Sequence, residues 1–84
     1  MKELKFPEPG DFIYLKTNIN NSDSTYIKAL VVYIDDDFFA INCKTGTVIS
    51  NKNQTIAGRS VAELLENLAI NYHIYLSDEG DNEL

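Results

Sequence analysis

The stretch TYIKALVVYIDDDFFAINCKTG, Thr25–Gly46, decides how this chain folds. Two runs rich in β-branched and aromatic residues flank three aspartates, the pattern of two strands joined by a tight turn. With Asp36-Asp37 as a two-residue loop, Ile34 faces Phe39, Val32 faces Ile41 and Leu30 faces Cys43. All six are apolar and share one face, so the register that turns the chain at the aspartates also assembles a core. In that register Cys43 is a small inward side chain. Asp-Asp suits so tight a turn less well than Asn-Gly, which leaves a longer loop open.

The aspartates read as a solvated turn rather than a metal site. Consecutive residues of extended backbone point to opposite faces, so Asp35, Asp36 and Asp37 do not converge on one ion. Calcium loops space their ligands at alternate positions and add a distal glutamate, and that spacing is missing. No metal and no cofactor is expected.

The other face of the hairpin carries Ile27, Ala29, Val31 and Tyr33 with Phe38 and Ala40. A sheet wet on one side shows polar residues there, so this face needs a cover. A helix supplies it. Ser60 and Glu63 form an S-x-x-E capping box, and Val61, Leu64, Leu65 and Leu68 follow at i, i+3, i+4 and i+7 in one apolar stripe. The helix is expected over residues 60–71. A partner protein or a second copy of the chain is the alternative cover.

Around this centre, Gly10-Asp11 opens a strand, Phe12–Thr17, and Asn18–Ser24 is a polar loop. Lys44-Thr45-Gly46 reads as a three-residue hairpin loop with Gly46 at positive φ. Thr47–Ser50 is the fourth strand, Asn51–Thr55 a polar loop, Ile56–Gly58 a short strand or connector, and His73–Leu76 the last strand. The expected organisation is an extended lead-in over 1–9, one domain over 10–77 and a flexible acidic tail over 78–84. The fold class is α+β or mainly β. Five short strands with one helix before the last make either a small SH3-like barrel or an open antiparallel meander, and the long central strand favours the barrel.

With 84 residues the chain has room for one domain with a thin core. Seven basic residues against 13 acidic ones leave a net charge of −6, which argues against a nucleic-acid backbone or an anionic membrane as partner. The single cysteine allows no internal disulfide and fits a reducing, cytoplasmic setting. No apolar run approaches the about 20 residues that a membrane span needs. The arrangement of GDFIYL, a valine-rich strand, an acidic turn, a K-T-G turn and an S-x-x-E-L-L helix resembles small uncharacterised proteins of low-GC Gram-positive bacteria and their prophages. The resemblance implies no particular activity.

Few residues suggest chemistry. Cys43 and His73 are the only thiol and imidazole, the minimum for thiol catalysis, but an inward Cys43 and an edge His73 do not meet. Gly58-Arg59-Ser60 could offer backbone N–H groups to an anion, yet the capping box already occupies that helix start. The aromatic residues Phe12, Tyr14, Tyr26, Tyr33 and Phe38 either complete the core or form an exposed groove of the kind small barrels use for peptides. The leading expectation is a non-enzymatic binding or regulatory module. It would act on a protein partner, or by self-association, through Tyr14, Tyr26, Tyr33, Phe38 and the acidic Asp35, Asp36 and Asp37. The alternative is an inhibitor that mimics nucleic acid through those aspartates and the acidic tail. An enzyme using Cys43 and His73 ranks last.

Overall fold

The computed structural model describes residues 6–17 and 26–76. The expected acidic tail, most of the lead-in and the loop after the first strand lie outside them. Strands β1 (Phe12–Thr17), β2 (Ile27–Ile34) and β3 (Asp37–Asn42) form an antiparallel meander. After a small hairpin, β4 (Ser50–Asn51) and β5 (Gln54–Thr55), helix α1 (Val61–Leu68) leads to β6 (Tyr72–Tyr75). β6 pairs antiparallel with β1, so the main sheet has the order β3-β2-β1-β6.

The sheet stays open, against the preference for a barrel. Closure would require β3 to meet β6. The far edge of β3 is instead occupied by its own downstream chain: Gly58 exchanges backbone hydrogen bonds with Phe38, and Ile49 N donates to Ala40 O. Of the expected fourth strand, Thr47–Ser50, the part up to Ile49 lies along β3 through the Val48 bridge to Ile41 and single backbone hydrogen bonds, while Ser50 enters β4, whose hairpin with β5 occupies most of the expected polar loop 51–55.

The central turn also differs from the sequence expectation. Asp35 and Asp36, not Asp36 and Asp37, make the two-residue loop, with φ of 51° and 70°. Two successive left-handed residues are the requirement of a type I′ turn, whose twist matches that of the strands, and aspartate tolerates that region better than most residues. Ile34 therefore pairs with Asp37, Val32 with Phe39 and Leu30 with Ile41. The slip is two residues, so every side chain keeps its face.

The core lies on the face that needed a cover. Ala29, Val31 and Ala40 are fully buried with Ile13 and Leu15 of β1, Ile74 of β6, and Leu64, Leu65 and Leu68 of α1. The helix starts as the sequence indicates: the Ser60 side chain accepts from Glu63 N at 3.1 Å. Glu63 in turn accepts from Arg59 N rather than from Ser60 N, so the box closes one residue early. The helix ends at Leu68, with Ala69–Asn71 in a turn, short of the expected Asn71. Gly58 sets how closely α1 approaches the sheet. A Cβ there would lie 2.8 Å from the Glu63 carbonyl carbon and from Leu64 Cα, backbone atoms that cannot swing aside.

Two stability outcomes follow from this geometry. Gly58→Ala forces the helix off the sheet and should lower the melting temperature by about 10 °C or more. Replacing Asp35-Asp36 by Asn-Gly should raise it by about 2–4 °C, because it relieves two left-handed aspartates while leaving the core untouched. Thermal melts followed by circular dichroism check both.

Candidate surface for protein contact

Six apolar side chains face away from the helix. Phe12, Leu30, Val32, Ile34, Phe39 and Ile41 share the outer face of the sheet, as the pairings Phe12 with Leu30, Leu30 with Ile41 and Val32 with Phe39 require. Phe12 is 44% exposed and Ile34 52%, and the other four are half-buried. Phe6 and Pro7 lie beside Phe12 and Tyr14 at one corner. No described helix or strand packs over the rest: α1 meets β6 and β3 from the core side, and the β4–β5 hairpin touches no strand of the main sheet.

This corrects the sequence reading of Leu30, Val32, Ile34, Phe39, Ile41 and Cys43 as a core face. Without closure there is no interior on that side. Cys43 is moreover exposed, because β3 ends at Asn42. The Asn42 side chain accepts from Lys44 N at 2.8 Å, and Gly46 N donates to Asn42 O, so the turn spans Cys43–Gly46, one residue longer than expected. Gly46 takes the expected positive φ, 74°.

The charges on this sheet are sorted along the strands. Lys16 is the last residue but one of β1, Lys28 the second of β2, and Lys44 lies two residues past β3, so three lysines share one end. Among the described residues that end carries no carboxylate. Lys28 Nζ sits 4.2 Å from the Phe12 ring centroid and Lys16 Nζ 5.6 Å from that of Tyr26, so both ammonium groups rest on aromatic faces. The opposite end carries Asp35, Asp36 and Asp37 at the turn, with Glu8 and Asp11 on the same side. Asp37 meets Arg59 at 3.6 Å, and Asp36 accepts from the Tyr33 hydroxyl at 3.2 Å.

The aromatic candidates divide between two faces and do not form one groove. Tyr14 and Tyr26 belong with the outer face, where Tyr26 meets Tyr75 edge-on at 5.4 Å. Tyr33 and Phe38 pair on the helix side, their centroids 4.7 Å apart, with Phe38 packed against the core. The outer-face residues Leu30, Val32, Phe39 and Ile41 were missed as surface because their alternation is that of a two-sided core. Only a sequence that offers a single amphipathic helical stripe could have singled them out.

Cys43 and His73 do not meet. Two strands, β1 and β2, separate the edges on which they lie, a distance of roughly 14 Å at about 4.8 Å per strand. Among the described residues no group of three His, Cys, Asp or Glu side chains could hold a metal ion, and no helix is long and apolar enough to cross a membrane. A hollow between the β4–β5 hairpin and α1 is lined by Asn51, Gln54, Asn67 and Asn71. Its Asn67 amide is spent on Ala57 O at 2.6 Å, tying the helix to the preceding connector. Compared with protein-family models, curated proteins and solved structures, the chain matches none.

The exposed thiol gives a direct check on this side of the structure. Native protein should react with a disulfide reagent such as Ellman's at a rate within about threefold of the urea-unfolded chain at the same pH. Protection of a hundredfold or more would return Cys43 to the interior.

Proposed function

We propose that the protein is a small non-catalytic module that works by protein–protein contact, and that the outer face of its main sheet is the contacting surface. One observation carries this reading: six apolar side chains on the face that no described element covers, two of them about half exposed. Antiparallel sheets with one wet face ordinarily alternate to polar residues on that side. Here the only polar residues among the outward positions of β2 and β3 are Lys28 and Asp37. Contiguous apolar surface of this kind marks interaction sites, because burying each such side chain contributes about 1.5–3 kcal/mol.

A nucleic-acid mimic is the weaker reading. It would need carboxylates spaced like phosphates along a surface, whereas the described sheet acids gather at one end and one of them is paired with Arg59. An enzyme using Cys43 and His73 would require both to move across the sheet.

Selection from a displayed random-peptide library against dilute immobilised protein tests the proposal. The native chain should enrich apolar-containing peptides, and the double variant Ile34→Asn, Phe39→Ser should retain less than a tenth of that binding. Both positions lie outside the core, so the melting temperature of the variant should fall by no more than a few degrees. Equal binding by the variant, or no enrichment by the native chain, would remove the outer face as the working surface.

A further inference from the structure

We propose that the outer sheet face is taken by a second copy of this chain, packed face to face about a two-fold axis that lies between the sheets and perpendicular to the strands. The inference rests on the contact reading above and deepens it by naming the occupant. Its basis is the order of groups along the strands. Lys16, Lys28 and Lys44 stand at one end, Phe12, Leu30, Ile41, Val32 and Phe39 in the middle, and Asp35, Asp36 and Asp37 at the other. A two-fold perpendicular to the strands reverses their direction while keeping each strand opposite its own copy. The lysine end of one sheet then lies over the aspartate end of the other, twice, and the apolar middles coincide. Such a surface is self-complementary, as an isologous interface must be.

Other occupants fit less of the surface. An acidic peptide would match the lysine end and be repelled by the aspartate end. A basic peptide would do the reverse. A single-stranded nucleic acid would find aromatic rings beside Lys16 and Lys28, but its next phosphates would meet aliphatic side chains and then carboxylates. A copy of the chain is the occupant whose charges run in the required opposite order without further assumption.

The size of the face sets the strength to look for. Four strands of four to eight residues give a planar footprint of about 400 Å² a side, near the small, transient class of interface. Association in the micromolar range is expected, with exchange between monomer and dimer.

Sedimentation equilibrium or light scattering at physiological ionic strength, from about 1 µM to 1 mM, tests this with three chains. The native protein should move from 9.5 kDa towards twice that mass as its concentration rises. Lys28→Glu sets acid against acid in its own dimer, and Asp37→Lys sets base against base, so each alone should associate at least tenfold more weakly. Mixed in equal amounts, the two variants restore both charge pairs and should associate to within about threefold of the native affinity. Lys16→Glu supplies a second variant of the basic end should Lys28→Glu lower the melting temperature. A native mass that stays at 9.5 kDa to 1 mM would overturn the proposal. Single variants that leave the affinity unchanged, or a loss that the mixture does not recover, each overturn the proposal on their own. Should a monomeric chain still enrich peptides through Ile34 and Phe39, self-association fails while the contact reading survives; loss of both results ends both.

Discussion

One short helix lies against a sheet that is apolar on both sides. Helix α1 has eight residues, so it is about 12 Å long and about 10 Å across, while four strands span about 19 Å. It can shield one face. The choice of face follows from side-chain size. Ala29 and Ala40 sit on the side that α1 covers, and two small residues there let the helix come close enough for Leu64 and Leu68 to reach full burial. Gly58 serves the same approach from the helix side. The opposite side presents Leu30, Val32, Phe39 and Ile41, which are bulkier and stay half-buried. The position of the helix and the exposed apolar face are one consequence of this asymmetry.

Much of this architecture could be read in the residues before any coordinates. β1 begins and ends where the alternation of FIYLKT predicts, and the Ser60–Glu63 cap and the leucine stripe locate α1 and the face it buries. These features are local: a capping hydrogen bond and a 3.6-residue period are complete within a few residues. The apolar stripe of α1 meets Ala29, Val31 and Ala40, the sheet face that the alternation marks as the one with no charged residue. The register was legible only modulo two. A hairpin shifted by two residues has the same faces and the same hydrophobic pattern, and only the φ values of Asp35 and Asp36 distinguish the versions. That ambiguity, with a turn one residue longer after β3, is what misplaced Cys43.

What could not be read locally was closure. Whether the outer face becomes the inside of a barrel depends on where the far edge of β3 finds its partner. That partner is Gly58, twenty residues downstream, together with Ile49, and both are held there by the same connector that delivers the chain to α1. Using that edge for the connector protects β3 from pairing with another chain and forbids β3 from reaching β6. The aromatic candidates split for a local reason: Tyr14 stands at an outward position of the ladder, whereas Tyr33 and its pair Phe38 stand on the helix side.

Net charge is a poor guide to what such a surface can meet. At −6 the whole chain repels its own copy, but at physiological ionic strength the Debye length is about 8 Å, shorter than β2 itself at about 27 Å. Charges at the two ends of the sheet are therefore felt separately. What an approaching surface senses is the local order: ammonium groups resting on Tyr26 and Phe12, then aliphatic side chains, then carboxylates at a left-handed turn. The acids on the helix, Glu63 and Glu66, lie behind the sheet and contribute little at its front. An acidic protein can thus carry a face whose electrostatics are those of a dipole rather than of an anion, and a dipolar face with an apolar centre finds its complement in its own image turned end for end.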